Sequence, residues 1–199
     1  MIRIKLAKKT YEQAGIDNNK TVLISLRQFD AMYPHDNDIF IDKLVKLCSL
    51  LKKYGKQPAI LVQSNAYGTD GDWYMAKKIQ ELSQISIPVI NAFTNNTEVA
   101  NWDHLIALLD LANLVVGVRY HTSILRMASG KMPYNLYYSI KGQDLSKRLG
   151  VPGVSVADFD PDTALPEILA TEDQDFFITE VRKQVKNDFD WAYNLSLKA

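Results

Sequence analysis

Short β-branched apolar runs alternate along this chain with stretches whose apolar residues recur every three or four positions. Residues 21–26 (TVLISL), 58–63 (PAILVQ), 87–93 (with PVINAF), 114–118 (LVVGV) and 133–138 read as strands, and 154–159 is a further candidate. Between them, residues 38–54 place Phe40, Leu44, Leu47, Cys48, Leu51 and Tyr54 at helical spacing, with Asp36 or Asn37 as cap and Gly55 as stop. Helical patterns also cover 73–82, a segment from near Glu98 to Ala112 with a cap in 95–97, then 123–129, 144–149 and 160–170. Continuous apolar runs suit strands buried on both faces, and strand–helix alternation with short links predicts an α/β fold. The expected architecture is a Rossmann-like parallel sheet flanked by helices, joined by right-handed crossovers.

The ends of the chain differ from this middle. Residues 1–20 are mostly polar and predict a short helix over 5–13, ended by Gly15 and a turn through Asp17, Asn18 and Asn19. They read as a linker or the remnant of a preceding domain, since Ile4, Leu6, Ala7 and Tyr11 are too few for a core of their own. Residues 172–199 carry Phe177, Val181, Val185, Phe189 and Tyr193 every four positions, one apolar stripe on a long helix. The expected division is therefore 1–20, a Rossmann-like α/β domain over 21–171, and a C-terminal helix over 172–199 that packs back on the domain or on a partner.

Composition removes several function classes. Lys plus Arg equals Asp plus Glu at 23 each, so no global field favours nucleic acid, and any basic site must be local. Cys48 is the single cysteine and lies on an amphipathic helix, which excludes an internal disulfide and a cysteine-rich zinc site. No secretory leader is visible in the first residues, and the apolar stretch 104–118 is broken by Asp110 and Asn113. A cytoplasmic protein is expected, with peripheral attachment at the inner membrane face left open.

The chemistry gathers after residue 118. Arg119, Tyr120 and His121 follow the fourth apolar run, and Thr122 and Ser123 lead into the next helix. Strand alternation would put Arg119 and His121 on one side, at the end of a sheet where ligands bind and where a helix N-terminus offers N–H donors to an anion. Arg27 and Lys141 also follow core strands and could reach the same rim. The bland alternative for each is a solvated strand-end charge. In 64–72 (SNAYGTDGD), Asp70 and Asp72 are carboxylates beside that rim, or Asp72 simply caps the next helix. His35 could reach the rim from its loop, whereas His104, beside Asp103, reads as an exposed helical residue. Dinucleotide and P-loop glycine fingerprints are absent, as is a nucleophile elbow.

From residue 112 to 150 the chain resembles the polysaccharide pyruvyl transferase family. The shared order is a β-run with Gly-x-Arg-x-His (VVGVRYH), an alanine-bearing helix (SILRMASG), a Gly-x-Pro step (GKMP), Tyr-x-x-Lys (YSIK) and Leu-Gly (RLG). The resemblance extends more weakly back to the strand ending in Ser25-x-Arg27. It implies one half of a two-Rossmann-domain glycosyltransferase fold, the half that binds phosphoenolpyruvate. It further implies transfer of pyruvyl to two hydroxyls of a sugar, in an exopolysaccharide or cell-wall polymer, as a ketal. His121 would carry the donor-site histidine role and Arg119 that of the motif arginine. Arg27, Tyr120, Thr122, Ser123, Tyr138 and Lys141 would hold substrate. No metal and no cofactor beyond phosphoenolpyruvate is implied. The acceptor would be a sugar or lipid-linked glycan, and the missing half would come from a partner chain or a second copy. A nucleotide-sugar glycosyltransferase donor domain and a non-catalytic binding module remain as alternatives.

Overall fold

The apolar runs pair as strands in a computed structural model that describes residues 2–30, 35–64, 71–93, 99–172 and 174–176. The strands are β1 (Thr21–Ser25), β2 (Gln57–Val62), β3 (Val89–Asn91), β4 (Leu114–Gly117), β5 (Tyr134–Tyr137) and β6 (Gly153–Ser155). All pairings are parallel, in the order β3-β2-β1-β4-β5-β6. The helices are α1 (Ile2–Gln13), α2 (Asn37–Lys53), α3 (Asp72–Leu82), α4 (Asn101–Leu111), α5 (Tyr120–Ala128), α6 (Ile140–Leu149) and α7 (Pro161–Ala170). This is the doubly wound α/β arrangement, with its topological switch between β1 and β4.

Side-chain alternation along the central strands divides the core in two. Val22, Ile24, Ile60, Val62, Leu114, Val116 and Leu136 face α2, α3 and α7. Leu23, Ala59, Leu61 and Val115 face α1 and α4. A third cluster, Met127, Leu145, Val151 and Phe176, joins α5 to α6. Asp36 caps α2 through its side chain, and Gly55 stops that helix at φ 75°. Cys48 is buried in the first core, where burial pushes its thiol up to about 12, outside any nucleophilic range.

Three expectations change. The helix at the chain start begins at Ile2 and is docked on α4. Ala7 and Tyr11 are buried there, and the Tyr11 hydroxyl donates to the Leu108 carbonyl over 2.7 Å. His104 is 2% exposed instead of solvated. Its Nδ1 lies 3.0 Å from the Ala92 carbonyl and its Nε2 3.1 Å from the Thr10 hydroxyl, because α1 covers the face of α4 that would otherwise meet water. Finally, α5 and α6 start at Tyr120 and Ile140, three and four residues before the periodicity suggested, while α4 starts later, at Asn101. The apolar stripe of the tail, and the cap expected in 95–97, lie outside the described residues.

Candidate functional site

Every strand delivers its chain to the same rim, and the switch point there is closed by a hydroxyl. Ser25, at the end of β1, accepts hydrogen bonds from the Val118 and Arg119 amides at 2.8 and 3.2 Å. Gly117 lets α5 lie directly over the end of β4, since a Cβ at that position would sit 2.2 Å from the Ser123 hydroxyl oxygen.

Arg119 is the N-cap of α5, and its guanidinium turns to α3. Nε and Nη2 both donate to Asp72 Oδ1, at 3.1 and 2.6 Å. Asp72 Oδ2 accepts the Gln63 and Ser64 amides at 2.7 and 2.9 Å. Asp72 is thus a fully buried clamp, and Gly71 occupies the cap position that sequence gave it. Burial pushes its carboxyl up, and the hydrogen bonds from Arg119 pull it back. The pair anchors the chain where β4 becomes α5.

His121 is exposed in the first turn of α5, its ring edge-on to Trp102 at 6.2 Å and to Tyr120 at 5.9 Å. Thr122 and Ser123 are fully buried. The Thr122 hydroxyl donates to Gln63 Oε1 at 2.5 Å and the Ser123 hydroxyl to Asn135 Oδ1 at 3.3 Å, while the Thr122 amide is bonded to the Arg119 carbonyl. Because the helix begins earlier than expected, its first two amides are those of Tyr120 and His121.

On the far side of β4, the Arg27 guanidinium lies over the Tyr138 ring at 5.2 Å. Tyr138 and Lys141 line one cavity of about 550 Å³ with His35, Tyr137, Ser139, Ile140, Gln143 and Ser155. The anticipated set therefore splits. Arg27, Tyr138 and Lys141 gather on the β5 side with His35, whereas Arg119 faces α3 and His121 faces Trp102. Ser139, the N-cap of α6, and Ser155, at the end of β6, escaped the sequence reading. Their positions just after core strands were the available signal.

The electrostatics of the helix starts single out this region. Of the helices that follow strands, α2, α3, α4 and α7 carry Asp38, Asp72, Asp103 and Asp162 in their first turns. Helices α5 and α6 carry no acid there. They carry His121 and Lys141 instead, at two neighbouring helix N-termini. Each of these starts, free of a first-turn acid, suits an anionic group.

No protein-family model and no curated protein matches the chain, so the pyruvyl transferase resemblance rests on the residue pattern alone. Among solved structures, the crystal structure of the glycosyl transferase family 9 protein from Veillonella parvula DSM 2008 superposes with a TM-score of 0.58 at 9% identity. It covers 83% of this chain, which spans only 50% of that one. The likeness establishes a glycosyltransferase-like α/β fold with a six-strand parallel sheet flanked by helices. Among the described residues, no helix is long and apolar enough to cross a membrane.

Proposed function

We propose that this chain is the donor-binding half of a transferase that moves pyruvyl from phosphoenolpyruvate to a sugar of an extracellular or cell-wall polymer. The observation that carries the reading is the pair of acid-free helix starts at α5 and α6, with His121 and Lys141 in their first turns. Phosphoenolpyruvate holds a phosphate and a carboxylate on a three-carbon frame, which fits two adjacent N-termini better than a singly charged ligand does. The residue order VVGVRYH, GKMP, YSIK, RLG supports the same donor.

In this reading Lys141, Ser139 and the α6 amides hold one anionic group, and the Tyr120 and His121 amides hold the other. Tyr138, braced by Arg27, walls the site. Arg119 is a positioning residue, fixing the start of α5 through Asp72. His121 donates a proton to the methylene carbon, making C2 electrophilic. A sugar hydroxyl adds to C2 and returns its proton to the imidazole. The second hydroxyl then attacks C2 as the C2–O bond to phosphate breaks, and its proton leaves with the phosphate, closing the ketal. The products are the pyruvylated sugar and inorganic phosphate.

The acceptor is a sugar or lipid-linked glycan, which accords with a cytoplasmic protein at the inner membrane face. The exposed Ile39, Trp73, Tyr74 and Ile140, all in first turns on this rim, support a second body over the site. That body is a further domain, a partner chain or a second copy.

The second reading is a nucleotide-sugar donor domain, favoured by the glycosyl transferase neighbour. Calorimetry separates the two. Phosphoenolpyruvate binding that His121→Ala and Lys141→Ala each weaken at least tenfold is the expected result. Binding of nucleotide sugars without phosphoenolpyruvate would move the assignment to the second reading. No binding of either leaves a non-catalytic module.

A further inference from the structure

A second cavity opens on the opposite side of β4, outside the donor site proposed above. It lies where β2 and β3 end and α4 begins, has a volume of about 320 Å³, and is lined by Gln63, Ala92, Phe93, Asn101, Trp102 and Leu105. Among the described residues none of the lining side chains is charged, in contrast to the cavity that holds His35 and Lys141. That lining suits an uncharged ligand. The volume is at the small end for ligand sites, about one ring rather than a nucleotide.

Two features narrow the ligand further. Trp102 lines the cavity and is 59% exposed, so its indole is accessible to a ligand there. Gln63 is held by the Thr122 hydroxyl, which donates to Oε1 and leaves Nε2 as the donor the cavity can use. A flat apolar wall with amide groups at its edge suits a pyranose, whose C–H face is apolar and whose perimeter is hydroxyl. The Trp102 ring also stands 6.2 Å from that of His121, centroid to centroid.

We propose that this cavity is the acceptor subsite, in which a neutral pyranose stacks on Trp102, hydrogen-bonds the Gln63 amide, and presents a hydroxyl to His121. The proposal rests on the transferase reading above, and it places acceptor recognition on this domain as well as on any partner. It also explains why Trp102 is exposed in the first turn of α4 although it lies beside a formed cavity.

The test uses the full chain and the methyl pyranosides of glucose, galactose, mannose, N-acetylglucosamine and N-acetylmannosamine, followed by saturation-transfer NMR and tryptophan fluorescence. At least one glycoside is expected to bind saturably. Trp102→Ala should raise its Kd at least tenfold, Trp102→Phe by less, and Gln63→Leu several-fold, with unchanged circular dichroism. An affinity unaltered in Trp102→Ala, or no saturable binding by any glycoside, overturns the subsite. Calorimetry with phosphoenolpyruvate separates this failure from that of the donor reading. Donor binding without sugar binding leaves the transferase and removes the subsite. Sugar binding through Trp102 with no phosphoenolpyruvate bound keeps a sugar site but removes the pyruvyl transferase reading and with it the acceptor role.

Discussion

Gly117 shows at the scale of one residue why the glycine of the VVGVRYH stretch is there. Its φ is not the reason. The reason is the space between β4 and α5, where a Cβ would meet the Ser123 hydroxyl at 2.2 Å, the Ser123 amide at 3.3 Å and the Ser123 Cβ at 3.4 Å. Gly117→Ala is expected to cost about 1–3 kcal/mol, the usual range for overpacking a filled interior. Adding Ser123→Ala should recover part of that loss, because the closest atom is the hydroxyl, but not all of it, because the backbone nitrogen stays. Urea unfolding of the two variants with an unchanged m-value checks this, and a Ser123→Ala background that recovers nothing would sink the account. The candidate residues could be picked from the sequence because they follow predicted core strands. Their partners could not. Arg119 meets Asp72, 47 positions away, because β1 pairs with both β2 and β4 and so brings their ends to one rim, and Arg27 meets Tyr138 for the same kind of reason.

Elements were legible in kind and order, and their starts were not. Thr122 and Ser123 look like caps, yet they lie inside α5, because Arg119 and Ser139 serve as N-caps with no side-chain cap bond that sequence rules would detect. The consequence is a trade between stability and binding in α6. Lys141→Glu replaces a cation by an acid in the first turn, where the dipole favours it by about 0.3–1 kcal/mol. Chemical denaturation should show that gain while calorimetry shows phosphoenolpyruvate binding reduced at least tenfold. A variant that loses binding without becoming more stable would mean that Lys141 makes structural contacts of its own. The burial of His104 was equally invisible, since it depends on α1 lying over α4. Burial depresses its pKa below 6.5, with the Ala92 carbonyl opposing. The unfolded chain then binds the proton more tightly than the folded one, so stability is full above about pH 6.5 and falls as pH drops through the folded pKa. Replacing His104 by Gln, which keeps a polar group but does not titrate, should flatten that loss between pH 7.5 and 5.0 in urea midpoints. An unchanged pH slope would assign the acid sensitivity elsewhere.

At the scale of the whole molecule, the order β3-β2-β1-β4-β5-β6 puts the switch point between the two most enclosed strands. β1 and β4 are buried along their whole length and paired on both sides, whereas β6 is an edge strand only partly covered. A site anchored through Ser25, Gly117 and Arg119 is therefore built on the least deformable part of the sheet, while both cavities sit towards its margins. Doubly wound topology was legible from strand–helix alternation, but alternation alone does not say which strands adjoin, and the two-cavity layout follows from adjacency. Native-state hydrogen exchange gives the map that tests this. Amides of β1 and β4 should exchange only near global unfolding, and those of β3 and β6 through smaller openings. Adding phosphoenolpyruvate should slow exchange at the starts of α5 and α6, around residues 120–121 and 140–142, and leave the first turns of α2 and α3 unchanged. Protection appearing at α2 and α3 instead would put the donor on the other half of the rim and exchange the roles proposed for its two cavities.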